Sequence, residues 1–585
     1  MNYGNCPNCN ALLLKGKPPK NWIFCPNWQS CKFRGMHISK AKGAYVKTEL
    51  KDITILPLEK PSKEQQDIFN AVMNGCHKII KALAGTGKTT CLVQVVRILN
   101  ENKIASILCI AFAKRDKLVL EERLGTTAKV LTNNGAGHAI LASYFNRYTL
   151  DNGIGYKTLN KMFKDDGLVD EDGKISIKGN IIQAILQLVE KARGTLELSA
   201  SGKKEPTSAD YDTLCGRFDI EIEASQKDLA FQYASLLFRK LAGLEFARVN
   251  GVDYAGQMFL PVYHNIHPNK KYKYILVDET QDQSYTNRKM VEMYLEVGGR
   301  IIAVGDDNQA IYGWRGADSE AINLMKGLME TVGGEIEEFP LAVCRRCSKS
   351  VTRIAKLLVP EIECLDDAPE GQVDYIRSDE AFFADLRTNR KGLVLCRMNA
   401  PLISTCLKML SEGIPSRMAK SDILTDLIRL IEQFSEYDDN CSVPDVLEAA
   451  LVWLMDSREK YAKRADGAKK IATAEDKVNC LNALAEGVKI QNAGDLKKKL
   501  NSMFPEDGVN NTPEKMLVFS TVHGAKGGEA NTVYLYSPEK DKSCIWDADW
   551  SGPVDRNNTL YVGVTRAENR LVFAGQAPRL ERFSK

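Results

Sequence analysis

Residues 78–90, KIIKALAGTGKTT, constrain this chain more than any other stretch. An apolar, strand-like run at 79–83 stops in a loop of small residues, Ala84, Gly85, Thr86 and Gly87. Lys88, Thr89 and Thr90 then open a helical pattern that continues over 91–99. Small side chains let backbone N–H groups close around a polyphosphate, and the helix start adds unpaired N–H groups and the positive end of its dipole. In such a cradle Lys88 reaches the outer phosphates and the Thr89 hydroxyl sits on a magnesium ion. The pattern is GxxxxGK[ST] with Ala82 in the first place, a change that keeps the steric requirement. The alternative is a glycine-rich turn with no ligand; a strand before it and a helix after it favour the phosphate site.

A second anchor is KYILVDETQD at 273–282. Its apolar run at 274–277 reads as a central parallel strand covered on both faces, and carboxylates at the end of such a strand do not serve packing. Asp278 is expected to hold the magnesium ion and Glu279 to orient or deprotonate an attacking water. A third strand at 300–304 runs into GDDNQAIYGWRGA at 305–317. There Gln309 stands near the nucleotide, and Tyr312, Trp314 and Arg315 follow as groups suited to stacking on bases. Phe112, beside Lys114, Arg115 and Lys117 at the end of a buried run at 104–111, has the same character; a strand-end Phe under a solvated helix start is the alternative.

The 585 residues leave room for roughly three to five domains. No apolar run is long enough to span a bilayer, and the first residues lack a secretory signal. A cytoplasmic protein, or one of the nucleoid or nucleus, is expected, not a secreted one and with no membrane partner. The net charge of +4 conceals an asymmetry: residues 1–60 carry ten Lys/Arg and three Asp/Glu, a local +7 that leaves the rest of the chain at −3. Most of the sixteen cysteines are scattered singly in apolar segments, as reduced thiols in the core. Four differ. Cys6 and Cys9 precede Cys25 and Cys31 by a loop, a spacing that suits a tetrahedral Zn2+ site in a piece with little core of its own. Trp22, Phe24, Trp28 and Phe33 interleave with the second pair among lysines and an arginine. This segment resembles the zinc ribbons of bacterial type I topoisomerases, which implies contact with single-stranded DNA through residues such as Trp28; a purely structural or protein-binding ribbon is the other reading.

The motifs DETQD, GDDNQAIYGWRGA, LVLCRMNA, STVHGAKGGE and LYVGVTRA, in that order, resemble those of superfamily 1 DNA helicases of the UvrD/Rep type, from Gln65 to Ala567. The resemblance implies an α/β fold, with two RecA-like P-loop domains that close on ATP and Mg2+ and each carry a helical insertion, behind the small N-terminal zinc ribbon. The expected domains are a ribbon at 1–40, a linker at 41–60, a first RecA-like domain at 61–334 with an insertion at about 117–253, a second at 335–420 and 504–585, and a small helical insertion at 421–503. The family pattern gives Gln309 the sensing of the terminal phosphate, Tyr312, Trp314 and Phe112 the bases, Glu529 the ribose, and Thr521 and His523 the link between nucleotide and DNA.

Arg346 and Arg566 are the two arginines expected on the transferring phosphoryl group. Arg345 stands where the family places an adenine-stacking aromatic, which puts adenine preference in doubt. Gln65 either completes a capping box with Ser62, reads an adenine edge as the corresponding glutamine does in many helicases, or does both. Cys344 and Cys347 form a C-x-x-C with no second pair nearby and are read as incidental. The implied activity is ATP-dependent 3′–5′ translocation on single-stranded DNA with unwinding of tailed duplex, with replication or repair proteins as candidate partners. The rivals are a translocase that displaces proteins without unwinding, suggested by the small second insertion, and a zinc-ribbon recruitment factor with an ATP switch. Gly528 replaces a usual leucine, and no appended nuclease is expected after Arg566.

Overall fold

The computed structural model describes residues 55–580 apart from positions 172, 178, 196–204, 219, 312–319, 420–422, 463–466, 487–489, 505–511, 540–543 and 548–551, together with three short strands before them. Those strands, β1 (Leu14–Lys15), β2 (Trp22–Phe24) and β3 (Met36–His37), pair antiparallel, Leu14 opposite Phe24 and Ile23 opposite Met36. They belong to a unit, residues 1–54, that is distinct from residues 55–585. Cys6, Cys9, Cys25, Cys31 and Trp28 lie outside the described residues, as do Tyr312, Trp314 and Arg315.

The larger unit is built on two parallel six-stranded sheets. The first contains β4 (His77–Ala82), β5 (Ile107–Ala111), β6 (Lys129–Thr132), β7 (Tyr272–Val277), β8 (Leu295–Gly305) and β9 (Ile336–Leu341), in the order β6-β5-β7-β8-β4-β9. Side chains alternate between its faces with the period of two that a strand imposes. Ile80, Ile107 and Cys109 join one apolar cluster with Leu92 and Val96 of the helix Lys88–Glu101. Ile79, Leu108 and Ile110 join the opposite cluster with Met290 and Val291. Both faces are covered, which is why these strands read as unbroken apolar runs.

Two boundaries differ from the sequence-based expectation. The first sheet does not end at 334: β9 pairs with β4, Ile79 opposite Glu338, so the chain leaves this lobe only after Leu341. The first insertion does not begin at 117 either, because the helix Lys114–Leu124 buries Leu120 and Leu124 on the sheet and β6 pairs with β5. The helical body starts with Asn133–Phe145 and runs through Tyr254–Tyr263, around a core that includes Phe163, Leu188, Phe238 and Phe259.

After the short parallel pair β10 (Val343–Cys344) and β11 (Glu363–Cys364), the second sheet takes β12 (Gln372–Ile376), β13 (Gly392–Cys396), β14 (Ser416–Met418), β15 (Leu517–Thr521), β16 (Ala530–Ser537) and β17 (Ala567–Gly575). Its order is β12-β17-β16-β13-β15-β14. Four helices, Ile423–Phe434, Val443–Tyr461, Gly467–Ala485 and Ala493–Met503, form the second insertion. It is tied to its lobe by the buried Asp476, whose carboxylate accepts from the N–H groups of Asn399 and Ala400, both at 2.8 Å, at the start of the helix Ala400–Ser411. Among the described residues no helix is long and apolar enough to cross a membrane.

Candidate active site

In a parallel sheet every strand delivers its loop to the same edge, and ligands collect there. The loops after β4, β7 and β8 therefore converge: residues 83–87, 278–282 and 306–309. Gly85 and Gly87 have φ of +71° and +87°, a region that side-chain-bearing residues avoid. A Cβ on Gly85 would lie 2.6 Å from the Cys344 sulfur and 2.9 Å from Arg346 Cβ, so the second lobe requires the glycine as well. Gly87 begins the helix Lys88–Glu101 without any side-chain cap, and the first-turn N–H groups stay open to an anion. Lys88 Nζ stands 3.5 Å from the Ala82 carbonyl and 3.9 Å from the Glu279 carboxylate. Thr86 is buried and donates to the Leu83 carbonyl at 2.8 Å, while the Thr90 hydroxyl accepts from Arg123 Nη2 at 3.1 Å.

Asp278 is buried at the tip of β7, and Glu279 beyond it holds φ at +49°. That left-handed turn is an uncommon conformation for a glutamate, and such residues concentrate at functional sites. Burial opposes ionisation of Glu279, but the charges of Lys88 and Lys526 and a hydrogen bond from the Gln281 amide prevail, and its carboxyl is held below the usual range. Asp278 goes the other way, raised by burial and by the neighbouring Glu279 charge. Hydrogen bonds then lead outward from Glu279. Gln281 Oε1 accepts from the Asp306 N–H at 3.0 Å, and the Asp306 carboxylate accepts from Gln309 Nε2 at 2.6 Å. Gln309 Oε1 accepts from Arg566 Nη2 at 3.4 Å, on the opposite lobe.

The second lobe closes over this edge. The Arg345 N–H donates to the Gly85 carbonyl at 2.8 Å, and Arg346 pairs with Glu529 at 2.5 Å and donates to the Thr565 carbonyl at 3.3 Å. Arg566 is buried, held by the carbonyls of Val562 at 3.0 Å and Gly528 at 3.1 Å; burial and then the Arg346 charge push its pKa down to about 10. It stays a cation at neutral pH. A cavity of about 430 Å³ remains between the lobes, lined by Gly85, Gly87, Lys88, Thr89, Thr90, Asp278, Glu279 and Gln309 on one side and Arg345, Arg346, Glu529 and Arg566 on the other.

Of the other expected residues, Ala84 is buried behind the loop and Gln65 is buried beside it, 3.5 Å from where a Gly87 Cβ would sit. Ser62 and Gln65 do form the reciprocal capping box of the helix Lys63–Ala71. Phe112 follows β5 and His523 follows β15, both half-buried. Sequence reasoning missed three residues that join the lobes. The Tyr561 hydroxyl accepts from the Ala84 N–H at 3.0 Å. Lys526 pairs with buried Asp282 at 2.6 Å and donates to the Gln309 carbonyl at 2.8 Å. Tyr561, Lys526 and Asp282 all sit inside stretches already singled out, LYVGVTRA, STVHGAKGGE and DETQD, which was the available signal.

Residues 62–330 match the family model of the UvrD/REP helicase N-terminal domain. That match takes in the phosphate loop, the acids after β7 and the glutamine after β8, all on the first lobe. Curated relatives extend the likeness beyond it. The chain is 24% identical over 545 residues to the F-box DNA helicase protein 1 of Schizosaccharomyces pombe, a match covering 88% of this chain and 58% of that protein. It is 24% identical over 511 residues to a probable DNA helicase of Mycoplasma pneumoniae, covering 84% and 79% respectively. It is 25% identical over 277 residues to the ATP-dependent DNA helicase Rep of Buchnera aphidicola subsp. Schizaphis graminum, covering 45% and 39%. The chain thus spans about half the length of the first of these relatives. The first lobe, where the family match lies, supplies Lys88, Thr89, Asp278, Glu279 and Gln309 to the cavity, and the second lobe supplies the arginines.

Proposed function

We propose that the chain is an ATP-hydrolysing motor on single-stranded DNA that moves 3′ to 5′ and unwinds tailed duplex. The observation that carries this reading is the shared cavity, with Lys88 on one wall and Arg346 and Arg566 on the other. Lys88 and the open N–H groups of its helix hold the outer phosphates. Glu279, kept ionised by its neighbours, orients the attacking water and takes its proton as the water oxygen bonds to the terminal phosphorus and the bond to the bridging oxygen breaks. Arg346 and Arg566 stabilise the charge on the transferring group, a contribution that exists only while the lobes are closed. Thr89 and Asp278 offer oxygen donors only, and Asp278 is a buried carboxylate whose ionisation calls for a cation, a set that fits Mg2+. When bound, Mg2+ neutralises phosphate charge.

Product release reopens the cleft, and each cycle shifts the strand across Phe112, Tyr312, Trp314 and Arg315, with His523 linking the nucleotide to the DNA. Cys6, Cys9, Cys25 and Cys31 hold Zn2+ in a ribbon that adds DNA contact through Trp28. Support comes from the cysteine spacing and from the antiparallel pairing of β1 with β2, which brings the chain after Cys9 beside the residues that lead into Cys25. The test is strand displacement on duplexes with a 3′ or a 5′ tail, run beside displacement of streptavidin from biotinylated single strands. Unwinding restricted to 3′-tailed substrates supports the reading. Streptavidin displacement without unwinding would replace it by a protein-stripping translocase, and purified protein free of zinc would remove the ribbon.

A further inference from the structure

The helix Val443–Tyr461 of the second insertion carries apolar residues on two sides, where a surface helix needs them on one. Val446, Ala450 and Leu454, at the spacing of a single helical face, are buried in the core of this lobe. Leu451, Val452 and Met455 stand on the other side and keep 50%, 55% and 68% of their surface exposed. Single exposed apolar residues are ordinary, but three within five positions of one helix make a patch, and such patches mark contacts. An open groove of about 520 Å³ runs beside it, lined by Val452, Trp453 and Phe434, the last residue of the preceding helix Ile423–Phe434. The Trp453 and Phe434 rings pack on one another with centroids 5.9 Å apart. Glu436, Asp445, Glu448 and Asp456 line the same groove, and no Lys or Arg does.

Four carboxylates around an apolar slot restrict what can fill it. A nucleic-acid backbone or an anionic lipid surface would meet its own charge. A second copy presenting the same face would set carboxylate against carboxylate, a juxtaposition that excludes partners. From Asp445 to Asp456 the slot follows about three turns of helix, roughly 16 Å at the helical rise. An amphipathic helix with apolar anchors at i, i+3 or i+4, and i+7 fits that length, and Lys or Arg on its flanks would complement the acids.

We propose that this groove docks a basic amphipathic helix of a partner protein, with its apolar anchors on Val452 and Trp453 and its flanking cations on Glu448 and Asp456. None of the residues lining it lines the nucleotide cavity, so the inference stands or falls independently of the motor reading. Fluorescence anisotropy of the full chain without DNA, against three labelled synthetic peptides, tests it. One peptide has Leu at the helical spacing and Lys elsewhere, one has the same Leu positions and Glu elsewhere, and one has the Leu/Lys composition scrambled so that no apolar face forms. The first should bind, and the other two roughly tenfold more weakly or worse. Glu448→Lys/Asp456→Lys should weaken the first peptide about tenfold, the scale of two surface charge pairs lost and reversed. Val452→Ala/Met455→Ala should weaken it severalfold with an unchanged far-ultraviolet circular dichroism spectrum. No binding of the first peptide, equal binding of the Glu or the scrambled peptide, or affinity indifferent to both double substitutions overturns the proposal. Self-association in sedimentation velocity that Val452→Ala/Met455→Ala abolishes would assign the face to a second copy of the chain and overturn it as well.

Discussion

Tyr561 places a phenol hydroxyl on the Ala84 N–H, so a side chain of the second lobe satisfies a backbone donor of the phosphate loop. Removing that oxygen leaves a buried N–H unsatisfied, at a cost of about 1–3 kcal/mol. Tyr561→Phe should therefore lower kcat/KM for the nucleotide roughly tenfold or more with an unchanged far-ultraviolet circular dichroism spectrum; unaltered kinetics would show that the contact is incidental. The residues around the cavity were legible because phosphate and metal chemistry restrict residue types at fixed spacing, as in Lys88-Thr89 and Asp278-Glu279. Tyr561 and Lys526 were not singled out, because a sequence does not show which distant backbone group a tyrosine or lysine meets. The C-x-x-C of Cys344 and Cys347 was read as incidental, yet the Cys344 sulfur packs against Gly85 and so constrains the loop.

At the scale of elements, central strands such as β5, β7 and β13 were visible as apolar runs, and edge strands were not. β9 carries Glu337, Glu338 and Pro340, the charged and proline-bearing composition by which edges avoid further pairing, and its residues were assigned to the second RecA-like domain. Its acids are engaged nonetheless: Glu337 pairs with buried Lys78 at 3.0 Å and Glu338 with Lys81 at 2.7 Å. The first insertion is anchored by a buried pair in which Arg193 meets both carboxylate oxygens of Asp253, at 2.8 and 2.7 Å, while Asp253 also caps the helix Tyr254–Tyr263 through the Gly256 N–H. Burial raises the Asp253 pKa, but the Arg193 charge and hydrogen bonds outweigh it and the net shift is downward. Asp253→Asn keeps the cap and removes the charge, and should cost about 3 kcal/mol at neutral pH by leaving Arg193 unpaired. Because the folded-state pKa is depressed, the wild-type advantage is complete above the ordinary carboxylate range and shrinks as pH falls through it. Urea midpoints of both proteins at neutral and acidic pH check this; a gap that widens on acidification would contradict it.

At the scale of the molecule, several hydrogen bonds and an ion pair join the loops at the edge of the first sheet to segments of the second lobe. Asn558 donates to the carbonyls of Asp307 at 3.1 Å and Ala310 at 3.2 Å, Lys526 reaches Asp282, and Arg566 reaches Gln309. The two insertions also meet, through Glu221 with Lys470 at 2.5 Å and Lys460 at 3.3 Å. On the helix Val443–Tyr461, Arg458 pairs with Glu475 at 2.6 Å and Lys460 faces the other insertion. On the proposed reading, hydrolysis depends on closure, because Lys88 and the arginines Arg346 and Arg566 belong to different lobes of the cavity. The direct measurement is DNA-stimulated ATP turnover beside nucleotide affinity in Lys88→Ala and Arg566→Ala. The account predicts that Lys88→Ala loses turnover along with much of its affinity, while Arg566→Ala binds nucleotide and turns it over at least 100-fold more slowly, the lower part of the range for a lost oxyanion-type donor. Normal turnover in either variant would contradict it.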